Sequence, residues 1–245
     1  MKKRALISAI AMLVVSAIVL TSATFAWFSM GKTVGVDSFN VGVSEADGLL
    51  ISAYADKDFA TKVTLDQIRT AADASTSIPS EGAVVSPVSS DGSGTFIGGF
   101  INEENELETA VADAGSYYAF PVYIKYSGAA AATVNLDGSS VTAGSGSKGT
   151  DAYKAVRVAT DKSSYVCAPN STDGSFKYVP SVGAGEQSFT NVKTSFADTM
   201  LSFTLQPGQI TKVMVYVWLE GTDSSCTDDL AAGGDFNVEL KFNKA

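Results

Sequence analysis

Cys167 and Cys226 are the side chains of this chain best suited to covalent chemistry. A cysteine acts as a nucleophile when a neighbouring base makes the thiolate, and that base is usually histidine. The 245 residues include no histidine. This removes Ser-His-Asp and Cys-His pairs and every His-ligated zinc centre. In an exported chain two cysteines are most simply one disulfide, Cys167–Cys226. Closing a loop of about 60 residues is worth on the order of 4 kcal/mol in the chain-entropy model. The other state open to them is two buried thiols.

Carboxylates offer the remaining chemistry. Asp223, Asp228, Asp229 and Asp235 crowd one stretch, and hard cations favour such clusters. The spacing lacks the alternating ligands and fixed glycine of a calcium loop, so it reads as a solvated acidic loop. Glu103, Glu104, Glu106 and Glu108 provide a pair of the kind that hydrolyses glycosides. With no aromatic-lined cleft readable nearby, the acidic run reads instead as a solvated face. The Gly144-Ser145-Gly146-Ser147-Lys148-Gly149-Thr150 stretch is rich in glycine but lacks the order of a phosphate-binding loop. Asn170-Ser171-Thr172 is a glycosylation sequon whose use depends on the host. The expectation is no catalytic residue, no metal ligand and no cofactor: a protein that is not an enzyme.

The composition agrees with a folded chain outside the nucleic-acid-binding class. Hydrophobic residues make up 45% and charged residues 18%, which excludes disorder. The formal net charge of −9 argues against nucleic acid and anionic membrane surfaces as partners. The length suits one large domain or one domain with an appendage.

That appendage is the N-terminus. Lys2, Lys3 and Arg4 precede a charge-free, mostly apolar run from Ala5 to Leu20. Small residues follow, as signal peptidase requires. Thr24 and Ala26 fit a cut before Trp27, and Thr21 and Ala23 fit a cut before Thr24. Ala5 to Phe28 is also long enough for a retained anchor, since a span needs about 20 residues. Both readings place the body of the chain outside the cytoplasm. The expected division is a signal peptide over residues 1–26, an extension over 27–36 and a domain over 37–245.

Period-two alternation dominates the domain and marks half-buried strands. Phe236, Val238, Leu240 and Phe242 share one face. Tyr118, Phe120, Val122, Ile124 and Tyr126 form a second stripe, Leu201, Phe203 and Leu205 a third, and Val213, Val215, Val217 and Leu219 a fourth. Met214, Tyr216 and Trp218 lie opposite that last stripe, which predicts a strand covered on both faces. Further strands are expected over 33–43, 49–54, 95–101, 133–136 and 154–159. Asp-Gly and Pro-Gly pairs at 47–48, 91–92, 137–138, 173–174 and 207–208 supply turns. Thr64 and Gln67 make a capping box for one short helix, with Leu65, Ile68, Ala71 and Ala72 on its apolar face. Residues 75–94 and 137–151 read as exposed loops. Nine or ten strands and one helix predict an all-β fold, a jelly-roll or immunoglobulin-like β-sandwich behind its signal peptide.

Thr24-Phe25-Ala26-Trp27-Phe28, directly behind the apolar run, resembles the export junction of the TasA/camelysin family of Gram-positive bacteria. Phe39-Asn40-Val41-Gly42-Val43 resembles the first strand of such proteins, and Leu205-Gln206-Pro207-Gly208 through Asp223, with Asp235-Phe236-Asn237-Val238, their last strands. The resemblance covers about a quarter of the chain, at its two ends. It implies processing by a dedicated SipW-type signal peptidase and an extracellular jelly-roll that assembles into matrix fibres. Camelysin-type members are also described as metalloproteases, and the absence of histidine departs from that.

The expected function is therefore that of a secreted subunit of a cell-surface or biofilm-matrix fibre. Its partners would be other copies of itself, head to tail, and the signal peptidase during export, with membrane contact only before processing. Cleavage between Ala26 and Trp27 leaves an apolar, untethered start. Trp27, Phe28, Val34 and Val36 are its candidate donor-strand residues, suited to add to a neighbour's open sheet edge. The alternative is a surface-displayed sandwich that binds carbohydrate or protein.

Overall fold

The computed structural model describes residues 34–44, 48–72, 75–80, 85–101, 107–144, 151–172, 174–223, 225–226 and 234–245. The expected signal peptide, its cleavage point at Ala26 and Trp27, and Phe28 lie outside them.

The chain forms the expected all-β sandwich with one short α-helix. The first six-stranded sheet runs β14 (Phe203–Leu205), β7 (Ala132–Asn135), β16 (Gly234–Lys244), β1 (Val34–Val43) and β3 (Lys62–Thr64), with β8 (Ser140–Ala143) also paired to β16. The second runs β13 (Val192–Lys193), β10 (Val166–Cys167), β9 (Val156–Thr160), β15 (Ile210–Leu219), β6 (Tyr118–Tyr126) and β2 (Leu49–Ser52). Two hairpins complete the fold: β4 (Ile97–Ile101) with β5 (Leu107–Val111), and β11 (Phe176–Tyr178) with β12 (Gln187–Phe189).

Alternation sets which face is buried. In β16, Phe236, Val238, Leu240 and Phe242 are buried while Glu239 and Lys241 are exposed. Phe120, Val122 and Ile124 of β6 and Val213, Val215, Val217 and Leu219 of β15 line the opposing wall. Each such side chain contributes about 1.5–3 kcal/mol by leaving water. Phe39 of β1 locks the sheets together, its ring 4.9 Å from Tyr118 and 5.5 Å from Phe120 of β6.

The expectation that β15 is covered on both faces holds at Trp218, whereas Met214 and Tyr216 are only partly buried. Trp218 is fully buried in a second apolar cluster with Val88, Phe96, Ala159, Val166 and Phe176. That cluster joins residues of β9, β10, β13 and β15 to the β11–β12 hairpin, to Phe96, and to Val88 from a stretch read as loop. Residues 75–94 are therefore not an exposed insertion: Val85, Val88, Ser89 and Ser90 are buried, and Ser89 bridges to Ile97. Gly92 has φ +81°, and a Cβ there would lie 2.8 Å from Val166 Cγ2 and 2.9 Å from the Ala159 Cβ. Only glycine lets the segment turn this close to the sheet. The 137–151 stretch likewise is not one loop, because β8 pairs with Phe236–Glu239 of β16.

The capping box forms as expected. The Thr64 hydroxyl accepts from the Gln67 N–H, the Gln67 side chain accepts from the Thr64 N–H, and α1 (Leu65–Thr70) follows. Ile68 is its buried residue, whereas Ala72 is exposed beyond the helix end. The strand expected to start at Lys154 begins at Val156, after a 3-10 turn over Ala152–Ala155. Leu201 also belongs to a 3-10 turn, capped by Asp198, and not to a strand.

Candidate assembly edge and buried polar clamp

β1 runs parallel to β16, from Val34 opposite Gly234 to Val43 opposite Phe242. The register slips at Asp37: Val36 faces Phe236, and Ser38 faces Asn237. The extra residue matches a parity change in the sequence. Val34 and Val36 are even-numbered, and Phe39, Val41 and Val43 are odd, yet all oppose positions of one parity on β16. On its other side β1 is paired by β3 only at Asn40, Val41 and Gly42. Among the described residues, no strand pairs with that edge of β1 from Val34 to Phe39. Unpaired N–H and C=O groups on such an edge are a template for another strand.

This geometry corrects part of the donor-strand expectation. Val34 and Val36 already belong to the parent sheet, so the division between extension and domain at residue 36 falls inside β1. Parallel pairing to β16 places both residues inside the parent sheet. Residues 27–33, with Trp27 and Phe28, lie outside the described residues.

A buried polar clamp sits at the end of β15. Glu220 is fully buried. One carboxylate oxygen accepts from the Trp218 indole N–H at 3.0 Å and the Ser90 N–H at 3.3 Å. The other accepts from the Thr222 hydroxyl at 3.0 Å and the Thr222 N–H at 3.3 Å. Burial lifts the carboxyl above its ordinary value, against hydrogen bonds from Trp218, Ser89 and Thr222 and the charge of Arg157. Arg157, opposite Trp218 on β9, is equally buried. Its guanidinium donates to the Lys154 carbonyl at 2.9 Å and to Asp223, and its plane lies 5.1 Å from the Phe176 ring centroid. The clamp ties residues 88–90, β9 and the 220–223 turn together. Every Glu220 oxygen is occupied by a protein donor, so its role is structural.

Sequence reading missed both Arg157 and Glu220. The available signal was a carboxylate closing the apolar Trp218-Leu219 run. A charge placed there is buried and must find partners.

The expected disulfide is not formed. Cys167 lies in β10, opposite Val158 and Lys193, with its thiol in the inter-sheet core. Burial pushes that thiol up to about 12. Cys226 is buried in the same core and closes a turn, its N–H donating to the Asp223 carbonyl. Apolar packing rather than a covalent bond holds both.

The acidic stretches are not assembled into a site among the described residues. Asp223 is taken by Arg157 and the Ser225 N–H. Asp228, Asp229, Glu103, Glu104 and Glu106 lie outside the described residues, and Glu108 and Asp235 stand in β5 and β16. Residues 145–150 of the glycine-rich stretch also lie outside. No group of three acidic or cysteine residues able to hold a metal occurs among the described residues. The sequon Asn170 spends its amide N–H groups on the Val141 and Tyr153 carbonyls. No described helix is long and apolar enough to cross a membrane.

No family model, no curated protein and no solved structure matches this chain.

Proposed function

We propose that the chain is an extracellular structural protein, a subunit of a cell-surface or matrix fibre that grows head to tail by strand addition. The observation that carries this reading is the half-open edge of β1, directly continuous with the apolar start of the exported chain. At about 3.3 Å per residue, the six-residue edge over 34–39 extends about 20 Å and residues 27–33 extend about 23 Å. The lengths match. Trp27 and Phe28 at a free terminus would leave two large rings in water, and burying each on a neighbour contributes about 1.5–3 kcal/mol. Each subunit then offers one edge and one strand, and a head-to-tail contact of this kind propagates rather than closes. Before cleavage the apolar run over residues 5–20 holds the donor segment at the membrane, so processing acts as the switch. The junction at residues 24–28 and its resemblance to TasA/camelysin proteins support the same reading.

The test compares chains beginning at Trp27 and at Val34 by negative-stain microscopy and sedimentation. The first is expected to polymerise, and the second to remain a folded monomer because β1 is intact. Fibres formed at equal rates by both would refute strand addition by residues 27–33.

A further inference from the structure

The outer face of the second sheet carries a cleft that neither the core nor the assembly edge uses. It lies between the strip over residues 75–77 and the middle of β15, with a volume of about 370 Å³. That is at the small end of the range for ligand sites. Tyr117, Tyr216, Met214, Lys212, Ala114 and Thr76 are among its walls.

The strip spends its polar groups within the protein. The Ser77 N–H and C=O both bond Ala119 at 2.7 Å. The Ser77 hydroxyl donates to the Tyr117 carbonyl at 3.2 Å and accepts from the Gly115 N–H at 2.8 Å. Ser75 and Thr76 have partners of their own. The two tyrosines are held by the second core. The Tyr117 ring stacks on Phe96 at 3.8 Å, and Phe96 meets Trp218 edge-on at 5.6 Å. Tyr216 lies 6.0 Å from Phe96 and is only partly buried. Gly94 has φ +94°, and a Cβ there would stand 2.9 Å from the Tyr216 hydroxyl. Both rings are thus fixed while still lining open space.

The groups left open select the ligand class. They are two aromatic rings, a thioether, two phenol hydroxyls and one ammonium. Lys212 is exposed and is the only charged residue in the walls. Among the described residues it makes no ion pair, and neither tyrosine hydroxyl donates a hydrogen bond. Asp161 does not line the cleft, and its carboxylate is held by the Met214 N–H at 2.8 Å and by Lys162 at 2.8 Å. A cationic ligand would meet Lys212 as a like charge, whereas an acid meets one ammonium and hydroxyls able to donate. Fixed aromatic rings and a thioether favour a flat ring over an alkyl chain. The small volume also suits one or two rings better than a long acyl chain. We propose that the cleft binds a small aromatic carboxylate, its ring against Tyr216 and Met214 and its carboxylate on Lys212. The site lies on the opposite sheet from the β1 edge and does not depend on polymerisation.

The test is equilibrium dialysis of the full chain against naphthoate, its neutral counterpart naphthamide, and hexanoate, which carries the acid without a ring. Naphthoate is expected to bind with a Kd on the order of 1 mM or tighter. Naphthamide and hexanoate should each bind about three-fold more weakly or worse, the scale of an exposed ion pair and of one aromatic contact. Lys212→Met keeps the reach of the side chain and removes its charge, so naphthoate should fall to the level of naphthamide while naphthamide is unchanged. Ala114→Trp adds bulk at an exposed wall position, so it should abolish binding with the melting temperature unchanged. The proposal is overturned if naphthoate does not bind, if naphthamide or hexanoate binds as tightly, if Lys212→Met keeps the preference for the acid, or if Ala114→Trp binds like the parent chain.

Discussion

Replacing Glu220 with glutamine tests the clamp with almost no change in volume. The carboxylate accepts from two N–H groups on one oxygen and from the Thr222 N–H and hydroxyl on the other. An amide presents only one acceptor oxygen. With that oxygen kept on Trp218 and Ser90, the amide NH2 faces the Thr222 N–H, and a buried donor is orphaned at about 1–3 kcal/mol. Removing a buried charge works in the opposite direction, so at neutral pH the net loss should lie near 1 kcal/mol, the low end of that range. Glu220→Ala orphans three N–H groups and should cost at least about 3 kcal/mol. The pH dependence is the sharper check. Burial raises the folded-state value of Glu220 above the unfolded one. Its protonation therefore contributes stability that is fully present below the ordinary carboxylate value and lost as pH rises through the raised folded value. Glutamine does not titrate. The stability advantage of the parent chain over Glu220→Gln should grow on acidification from pH 7.5 toward about pH 5. Urea denaturation followed by far-ultraviolet circular dichroism measures both, and subtracting the two cancels every other carboxylate. An advantage that stays flat or shrinks on acidification would refute the assignment of Glu220 as a buried, charge-penalised clamp.

Phe236→Ala empties a fully buried position in β16 and should cost about 3–5 kcal/mol in the same urea assay. Gly92→Ala places a methyl against Val166 and Ala159 in left-handed backbone and should lower the melting temperature, which calorimetry reads directly. Cys167 and Cys226 should stay unreactive toward a thiol reagent at pH 8 and react once the chain is unfolded, and reducing agent should leave the melting temperature unchanged.

The long strands were legible because alternation over seven or more residues has one explanation. β6 begins and ends at the residues its stripe marks, Tyr118 and Tyr126, and β16 buries the four residues its stripe names. The helix was legible from its capping box. Among the strands of two to four residues, β2, β7 and β14 were legible, but β8, β10 and β13 were not: they are too short to show a period, and their pairing comes from β16, β9 and one another. Composition misled over residues 75–94, where serine, glycine and proline mark a loop in sequence. Ser89 and Ser90 are buried because their hydroxyls meet the Val179 N–H and the Thr95 carbonyl. The shift at Asp37 shows in sequence as a change of parity, but only the pairing to β16 identifies it as a bulge. The cysteine pairing failed because compartment alone favours a bond, whereas position in β10 and the core decides the geometry. The large apolar pair Trp27-Phe28 was legible, but the unpaired edge of β1 was not, since it depends on where β3 stops.

Amide hydrogen exchange along β1, compared between monomer and polymer of the chain beginning at Trp27, tests the strand-addition account most directly. The account predicts that amides on the unpaired edge over residues 34–39 exchange readily in the monomer and become protected in the polymer, while those bonded to β16 are protected in both. Polymer in which the 34–39 edge exchanges as fast as in the monomer would contradict it.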